Sequence, residues 1–341
     1  MENPFVSVIV LNWNGVGFLE ECLNSLANQS YKFFEIIVVD NGSTDGSLEL
    51  VKKKFSGSVK LIENGRNLGF SGGNNRGIEA AKGSYILLLN NDAVAEKKWI
   101  GELVAAAEKD PGTGMCASKV LSYDSRNIID NVGHLIYRDG LNRGKGRLEE
   151  DRGQYDNEEE IFFPSGCAAL YRKEMLDEIG LFDEDFFAYG DDTDIGIRGR
   201  LAGWKCIYVP SAIVFHRYSG SSNPYSELKA FYVERNRVWI AIKYFPLTIL
   251  LLSPYYTFLR FIFQTYGAVS GRGAAGKFTS QYSKIKLISV LFKAYFSALK
   301  GLGKVLAKRN EIKSIKKVSD SEVYSWFNRY GISAREIALK E

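Results

Sequence analysis

At residues Tyr85–Asp92 the sequence reads YILLLNND, an apolar run of five residues that ends at once in three polar ones. A run this short and this apolar is typical of a strand buried on both faces of a sheet. Such a strand delivers Asp92 to its carboxyl end, which is the edge of an open α/β sheet where ligands bind. The stretch therefore predicts a candidate active site at Asp92.

Three further apolar segments also end in side chains of ligand-binding types. They are Glu35–Val39 before Asp40, Phe186–Gly190 before Asp191 and Asp192, and Ala212–Phe215 before His216. Carboxyl ends of strands meet at one edge of an open sheet, so the pattern favours one site built from several strand ends. Four unrelated strand ends that meet water are the alternative.

Strand-like and helix-like segments alternate through the first half of the chain. Short strand patterns occur at Val6–Leu11, Glu35–Val39, Val59–Ile62 and Tyr85–Leu89, and helical patterns occur near Ser47–Phe55, Asn74–Lys82 and Lys97–Lys109. This order predicts an α/β fold with a mostly parallel sheet covered by helices on both faces. The polar, glycine-containing stretch from about 120 to 160 predicts loops and an edge hairpin.

Charge divides the chain into two parts. The 341 residues are 45% hydrophobic, enough for a full core and about two domains. Residues 1–225 contain 24 Lys and Arg against 33 Asp and Glu, whereas residues 226–341 contain 20 against 7. We therefore predict an acidic domain at 1–225, suited to metal ions, and a basic helical domain at 226–341, suited to phosphate-rich surfaces.

The four cysteines and the N-terminus indicate a cytoplasmic protein. No two cysteines have Cys-x-x-Cys spacing, so we interpret them as core residues in a reducing compartment and expect no zinc site. The chain begins with MENPF, without the basic segment of a signal peptide, and enters a strand pattern at once.

A glycine- and asparagine-rich segment, Asn64–Gly77, follows a strand and opens a helix. Its glycines allow close backbone approach, and free N–H groups at a helix start bind anions, so a diphosphate is one interpretation. A mobile surface loop with an Asn N-cap is the other. The dinucleotide motif of dehydrogenases fits poorly, because Gly15 and Gly17 are followed by Glu20 where a third glycine belongs.

Seven ordered motifs carry a resemblance to a known family. They are VSVIVLNWN at Val6–Asn14, VVDNGSTD at Val38–Asp45, the segment Asn67–Gly77, LNND at Leu89–Asp92, PSGCAA at Pro164–Ala169, GLFDE at Gly180–Glu184 and YGDDTDI at Tyr189–Ile195. Together they resemble the inverting family 2 glycosyltransferases of GT-A fold, and more closely the branch that contains rhamnosyltransferases of surface-polysaccharide assembly. The resemblance covers nearly all of residues 4–220.

The resemblance implies a site for a nucleotide sugar. It assigns nucleotide contacts to Leu11, Asn12, Trp13, Asp40, Asn67, Gly72, Asn75 and Asn91. Asp40 is expected to accept the imide N–H of uracil or thymine, which favours a UDP- or dTDP-linked donor.

The resemblance also implies a divalent metal, Mn²⁺ or Mg²⁺. Asp92 occupies the last position of the family's Asp-x-Asp motif, and His216 is the second expected ligand. Position 90 is Asn where the family has Asp, so one carboxylate of the usual pair is missing. We therefore expect the donor diphosphate to supply much of the coordination, and metal affinity without nucleotide to be weak.

Catalysis is expected at Asp192, the base by resemblance, with Asp191 at the family's usual Glu position. A divalent cation stabilises charge on a leaving diphosphate, and a carboxylate accepts the proton of the acceptor hydroxyl. One base without a nucleophile implies inversion at the anomeric carbon. Crowded carboxylates raise one another's pKa. The alternative for these acids is stabilisation of a helix N-terminus.

The basic C-terminal part indicates the acceptor. Phe245–Leu259 is apolar and free of charge but ends at Arg260, so we expect it to be too short to cross a bilayer. Apolar residues then recur at helical spacing between Ile285 and Leu306, with Lys284, Lys293, Lys300, Lys304 and Lys308 between them. A basic amphipathic helix suits anionic lipid surfaces. The alternative is packing on the catalytic domain or on another subunit.

These observations predict transfer of a sugar, with rhamnose the candidate, to a lipid-linked saccharide at the inner face of the cell membrane. The expected partners are the nucleotide sugar, the acceptor and the membrane surface, with a second copy of the chain a further candidate. Nucleic acid is not expected, because the basic residues accompany an aliphatic face and not exposed stacking aromatics. A non-catalytic sugar-binding scaffold and a sugar nucleotidyltransferase are the rival functions.

Overall fold

The computed structural model describes residues 3–217 and 225–340, which form two compact units. We call 3–133, 144–200 and 204–217 the sheet unit, and 134–143, 201–203 and 225–340 the helical unit. The predicted domains, 1–225 and 226–341, differ from this division at 134–143, 201–203 and 225, and their residues 1–2, 218–224 and 341 lie outside the described residues. The functions predicted for the two domains stay predictions.

The strands form one large sheet and one short ladder. In chain order they are β1 Val6–Asn12, β2 Phe34–Asp40, β3 Lys60–Glu63, β4 Tyr85–Leu89, β5 Ala93–Ala95, β6 Thr113–Ser122, β7 Ile129–Asn131, β8 His134–Ile136, β9 Asn142–Gly144, β10 Glu159–Ile161, β11 Ala168–Arg172 and β12 Lys205–His216. The large sheet has the order β10-β12-β6-β11-β4-β1-β2-β3, with β5 on β12 and β7 on β6, while β8 pairs with β9.

The direction of the strands brings the polar strand ends to one edge. Strands β4, β1, β2 and β3 are parallel, and Asn12 is in register with Asp40. Strand β11 is antiparallel to both β4 and β6, so β6 and its parallel neighbour β12 have the same direction as β4. His216 therefore ends at the same edge as Asn12, Asp40 and Leu89. The mostly parallel α/β sheet confirms the predicted fold class.

Helices cover both faces of this sheet. They are α1 Leu19–Ala27, α2 Ser47–Lys54, α3 Gly69–Glu79, α4 Trp99–Glu108, α5 Lys173–Ile179 and α6 Asp191–Leu201, with a short 3₁₀ turn at Glu184–Phe186. Helix α1 buries Leu19, Cys22, Leu23 and Leu26, the apolar positions of its helical pattern. All five residues of β4 are buried, as expected for a strand covered on both faces.

The helical unit contains the remaining helices. They are α7 Glu227–Tyr244, α8 Leu247–Ser270, α9 Gly273–Gln281, α10 Lys284–Lys300, α11 Leu302–Ile315, α12 Asp320–Arg329 and α13 Ala334–Leu339. The amphipathic pattern from Ile285 to Leu306 predicts one helix, but the structure divides it at Gly301. A Cβ atom at position 301 would collide with the indole of Trp239, so the close approach of the α7 side chain requires glycine there.

The predicted end of the apolar segment at Arg260 is wrong. Helix α8 continues through Arg260 to Ser270 and has 24 residues. Among the described residues it is the one helix whose length and composition would allow it to cross a membrane. The helix continues through Arg260 because this side chain is fully buried and paired with acids of the same unit.

Candidate active site

Asp92 and His216 meet at the carboxyl edge of the sheet. Asp92 follows the end of β4 and directly precedes β5, and His216 pairs with Ala93 in the β5–β12 ladder. His216 Nε2 lies 3.3 Å from Asp92 Oδ1. Both residues are less than one-tenth exposed. The two side chains that were predicted to bind one metal ion are therefore in contact, although 123 intervening residues separate them.

A third side chain, Asp130, holds the other face of the imidazole. Asp130 Oδ2 lies 2.7 Å from His216 Nδ1, and Asp130 Oδ1 accepts a hydrogen bond of 2.8 Å from Arg147. Asp130 was not among the site residues predicted from the sequence. Asp130 lies on the three-residue strand β7 in a polar stretch, and neither spacing nor hydrophobic pattern distinguishes it from the neighbouring acids there.

The charge of His216 follows from these neighbours. Burial by itself would lower the pKa of His216, but Cys167, Asp130 and Asp92 outweigh burial and raise that pKa well above its ordinary value of 6.5. A cation that binds Nε2 competes with this proton, because only the neutral imidazole is a metal ligand.

The donor set fits a divalent cation that also binds a substrate diphosphate. Among residues 3–217 and 225–340 no group of three or more His, Cys, Asp or Glu is arranged to hold a metal ion. Asp130 reaches the imidazole nitrogen that faces away from Asp92, so Asp92 and His216 remain as the two donors. Mg²⁺ sites that act on phosphates commonly have one or two carboxylates, with substrate oxygens and water completing the shell.

The two acids at the start of α6 have different surroundings. Asp191 is buried, and burial, followed by the carboxylate of Asp192, raises the pKa of Asp191 well above its ordinary value. Asp192 is half-buried, and its Oδ1 accepts a hydrogen bond of 2.8 Å from the Thr193 N–H. Burial therefore disfavours the charged form of Asp191, and Asp192 is the more accessible carboxylate of the pair.

Asp194 has a structural role in the same helix. Its fully buried carboxylate lies 2.9 Å from Arg198. Arg198 also donates hydrogen bonds to the carbonyl oxygens of Ile179, Gly180 and Leu181, and so ties α6 to the chain that follows α5.

The segment Gly166–Cys167 lies between the two groups of site residues. A Cβ atom at Gly166 would lie 3.7 Å from the Cβ of Asp192. The side chain of Cys167 forms a hydrogen bond with His216, and its carbonyl oxygen accepts a bond of 2.9 Å from the Asn90 N–H. Gly166 therefore lies close to Asp192, and the next residue, Cys167, contacts His216 through its side chain.

Asn12, Asp40 and Asn91 form one hydrogen-bond network at the ends of β1, β2 and β4. Asn12 Nδ2 donates to Asp40 Oδ1 at 3.1 Å, and Asn91 Nδ2 donates to Asn12 Oδ1 at 2.8 Å. A Cβ atom at Gly15 would collide with the Asn91 amide, so glycine there makes room for this contact. Beside the network, Trp13 is 43% exposed and Leu11 is half-buried.

Asp40 has little free acceptor capacity. Its Oδ2 accepts the N–H groups of Gly42 and Ser43 at 3.0 Å each, its Oδ1 accepts Asn12, and the residue is 2% exposed. A carboxylate offers about four lone-pair positions, so one remains for the predicted nucleobase contact. That contact stays a prediction.

The start of α3 is occupied by protein acceptors. The Phe70 N–H donates to the carbonyl oxygen of Phe187 at 2.6 Å, and Asn67 Oδ1 accepts the Gly69 N–H at 2.8 Å. Helix α3 begins at Gly69, five residues before the predicted pattern, and its first turn is mostly buried, unlike a surface loop. These N–H groups are therefore not available to bind an anion such as a diphosphate.

Two other predicted nucleotide contacts lie against the chain that precedes α6. Asn75 Nδ2 donates to the Phe182 carbonyl oxygen at 2.9 Å and to Glu184 Oε1 at 3.1 Å. A Cβ atom at Gly72 would lie 3.6 Å from the Glu184 carboxyl carbon. Nucleotide contacts of Asn67, Gly72 and Asn75 stay predictions.

Comparisons with known proteins identify the family and agree with the fold. Residues 7–180 match the family described as "Glycosyl transferase family 2". The chain is 27% identical over 248 residues to N-acetylglucosaminyl-diphospho-decaprenol L-rhamnosyltransferase of Mycobacterium tuberculosis, which covers 65% of this chain and 80% of that protein.

Solved structures share the fold. A mannosyltransferase of Pyrobaculum calidifontis in complex with GDP-Man and Mn²⁺ has a TM-score of 0.52 and 16% identity, over 99% of this chain and 87% of that one. GalNAc-T7 with UDP, GalNAc and Mn²⁺ has a TM-score of 0.54 and 20% identity, over 68% and 48%. Identities this low bear on the fold alone. The family match covers half of the chain and confirms the resemblance in its motifs. The chain belongs to glycosyl transferase family 2 and is a glycosyltransferase of GT-A fold.

Proposed function

We propose that this glycosyltransferase is an inverting, divalent-metal-dependent enzyme of cell-surface polysaccharide assembly. It transfers a sugar, with rhamnose from dTDP-rhamnose the candidate, from a pyrimidine nucleotide to a lipid-linked saccharide. The reaction takes place at the cytoplasmic face of the cell membrane, where the enzyme is peripherally bound. The observation that carries this proposal is the contact between Asp92 and His216, with Cys167 hydrogen-bonded to His216 and the adjacent Gly166 close to Asp192.

Asp92 and His216 hold the metal in this proposal. When bound, the divalent cation supplies Lewis-acid stabilisation of the charge that develops on the leaving diphosphate. Asp92 contributes a hard oxygen donor and His216 a nitrogen donor, and both are held rigidly by the β5–β12 ladder. With two protein donors, the diphosphate oxygens complete the coordination, so the nucleotide and the metal bind together.

Asp192 is the proposed base. As the bond between the anomeric carbon and the diphosphate oxygen breaks, a bond forms from the acceptor hydroxyl oxygen to the opposite face of that carbon. The hydroxyl proton passes to the Asp192 carboxylate. Asp191 is buried, so the more accessible Asp192 is the carboxylate of the pair that accepts the proton. A single displacement inverts the anomeric configuration.

The printed names of the relatives support the choice of donor and acceptor. The Mycobacterium tuberculosis relative is named for rhamnosyl transfer to N-acetylglucosaminyl-diphospho-decaprenol. That name supports rhamnose and a polyprenyl diphosphate saccharide as first candidates for this chain. The two structural neighbours were solved with Mn²⁺, one with UDP and the other with GDP-Man, which supports the metal more strongly than the pyrimidine base.

Exposed apolar side chains on the helical unit support membrane binding. Leu251 and Phe258 of α8 are 70% and 62% exposed, and Ile285 and Phe292 of α10 are 80% and 73% exposed. Soluble monomers rarely expose many large apolar side chains together unless the surface binds something. Lysines on α10 and α11 accompany these residues and suit anionic headgroups.

Helix α8 is proposed to lie on the membrane and not to cross it. Arg260, near its middle, is fully buried and contacts Asp139 and Glu234 at 2.7 Å each. A transmembrane α8 would carry these charges into the hydrocarbon region, where each charged side chain costs at least about 2.5–3.5 kcal/mol. An interfacial position leaves the ion cluster inside the unit and the apolar face in the lipid.

Nucleotide release from a panel of donors tests this function. The purified protein is incubated with Mn²⁺ and with dTDP-, UDP- or GDP-sugars, with and without a polyprenyl diphosphate-linked N-acetylglucosamine. We expect nucleotide to be released from one pyrimidine sugar nucleotide only when the acceptor is present. NMR of the product should show the anomeric configuration opposite to that of the donor. Retention of configuration, or full activity in the presence of a chelator, would contradict the proposal.

A further inference from the structure

The proposed metal ligand His216 is held by a carboxylate that is not itself a ligand. Asp130 Oδ2 lies 2.7 Å from Nδ1, while Nε2 faces Asp92 at 3.3 Å. We infer that Asp130 is a positioning residue for the neutral, metal-binding form of His216. It keeps the proton of that imidazole on Nδ1 and directs Nε2 toward the cation and the diphosphate. This inference rests on the proposed function, because it concerns the same metal site.

Asp130 is itself fixed from two directions. Its backbone lies in β7, where the flanking residues Ile129 and Asn131 pair with Leu121 and Val120 of β6. Its second oxygen, Oδ1, accepts a hydrogen bond of 2.8 Å from Arg147. The side chains of Arg147 and Asp130 are 18% and 12% exposed. Both oxygens thus have defined partners, so the carboxylate cannot rotate away from the imidazole without losing the Arg147 ion pair.

The orientation matters because the site has few protein donors. With Asp92 and His216 alone, a rotated ring or the other tautomer removes half of the protein coordination. A ligating histidine commonly donates its second N–H to a carboxylate, and loss of such a partner typically weakens metal binding or activity by about 10–100-fold. An ion pair that merely braces the fold would affect stability and leave metal affinity unchanged.

Electron paramagnetic resonance of Mn²⁺ separates these two roles. Mn²⁺ is titrated into the full chain in the presence of UDP or dTDP, for the wild type, Asp130→Asn and the control Asp151→Asn. Asp151 pairs with Lys119 at 2.5 Å and is 17% exposed, so the control removes an ion pair of similar burial elsewhere in the sheet unit. We expect about 10–100-fold weaker Mn²⁺ binding in Asp130→Asn and wild-type binding in Asp151→Asn.

NMR of the histidine rings gives a second readout. The chain has two histidines, so a His134→Gln variant assigns the His216 signals. With Mg²⁺ and UDP, the wild type is expected to show the Nδ1–H tautomer, and Asp130→Asn is expected to lose this signature at the same Mg²⁺ concentration. If Asp130→Asn unfolds, Arg147→Gln takes its place, and a weaker nucleotide-dependent Mn²⁺ affinity is again expected.

Two results would overturn the inference, and they differ in meaning. If the wild type binds Mn²⁺ with nucleotide and folded Asp130→Asn binds it equally well, Asp130 has no positioning role and the proposed function is untouched. If the wild type itself shows no nucleotide-dependent Mn²⁺ binding, the metal site of the proposed function fails and the inference fails with it.

Discussion

At the scale of single residues, two neighbouring aspartates show how environment separates chemical roles. Asp191 is buried beneath the start of α6, where burial raises the pKa of its carboxyl group. Asp192 is half-buried and receives a hydrogen bond from the next backbone N–H. In the proposed mechanism the acceptor hydroxyl approaches the more accessible Asp192, and the pair contributes one base.

The first prediction concerns that base. Asp192→Asn keeps the size of the side chain and a hydrogen-bond acceptor but removes the group that takes the proton. We expect kcat to fall by about 10²–10⁴-fold while nucleotide affinity changes little. Asp177→Asn, which removes a largely exposed carboxylate on α5, is the control and should keep full activity. Equal loss of turnover and nucleotide binding in Asp192→Asn would argue against its role as base.

The contact of Asp92 with His216 could be predicted from sequence, but its partner Asp130 could not. Strand ends of known direction meet at one edge of a sheet, and this rule suffices for Asp92 and His216. Asp130 reaches His216 from a three-residue strand whose existence depends on tertiary pairing with β6. The hydrogen bond at the start of α3 could not be predicted either, because the acceptor is the carbonyl oxygen of Phe187, which is distant in the sequence.

At the scale of elements, a buried ion cluster joins the hairpin β8–β9 to α7 and α8 within the helical unit. Arg260 contacts Asp139 from the hairpin and Glu234 from α7, and Arg237 donates to the same Glu234 carboxylate at 2.7 Å. Burial by itself would raise the pKa of Glu234, but Arg237 and Arg260 outweigh it and lower that pKa to about 2. This carboxylate therefore stays charged in the folded protein.

The second prediction follows from this cluster. Glu234→Gln leaves two buried arginines with less compensation and should destabilise the protein by about 3–5 kcal/mol. The folded pKa is about 2 and the ordinary value is 4.5, so the stabilisation by Glu234 is present above 4.5 and is lost as pH falls toward 2. The difference in unfolding free energy between wild type and variant should therefore shrink in acid.

Chemical denaturation of both proteins at several pH values measures this difference. The control is Glu227→Gln, whose carboxylate forms an exposed pair with Lys286 in the same unit and should change stability by less than about 1 kcal/mol. A Glu234→Gln effect that stays constant between pH 5 and pH 2.5 would contradict the assigned pKa.

The limits of α8 and α10 show what an apolar pattern omits. Arg260 interrupts the pattern in the sequence, yet the helix passes through it because acids from two other elements neutralise the charge. Gly301 does not interrupt the pattern, yet α10 ends there, at a position where the indole of Trp239 leaves no space for a side chain. Both outcomes depend on tertiary partners that local periodicity does not contain.

At the scale of the whole molecule, the excess of basic residues and the exposed apolar helix positions both belong to the C-terminal third of the chain. The third prediction is that the protein floats with vesicles that contain an anionic phospholipid, and less with zwitterionic ones. Phe258→Ser with Phe292→Ser removes two side chains that are 62% and 73% exposed and should reduce flotation strongly. Added salt should weaken binding, because exposed charges are screened.

The matched control removes an exposed aromatic side chain from the sheet unit. Phe33 is 53% exposed, and Phe33→Ser should float like the wild type. Unchanged flotation of the double variant would exclude this face as the anchor. Lower mass in size-exclusion chromatography of the double variant, without a change in flotation, would favour a second copy of the chain as the occupant.

The α/β architecture followed from the alternation of short apolar runs, such as Tyr85–Leu89, with segments of helical periodicity. The antiparallel insertion of β11 between β4 and β6 is a topological choice that no local pattern encodes. Because β6 and β12 have the same direction as β4, Asp92 and His216 meet at one edge of the sheet despite this insertion.

A crystal structure with dTDP or UDP and Mn²⁺ tests the central claim most directly. We predict a cation held by Asp92, His216 and diphosphate oxygens, with the nucleobase beside Asp40 and Trp13. The Asp192 carboxylate should then face the diphosphate from across Gly166–Cys167, with space for a sugar between them. A nucleotide bound elsewhere, or a cation that contacts neither Asp92 nor His216, would contradict the account.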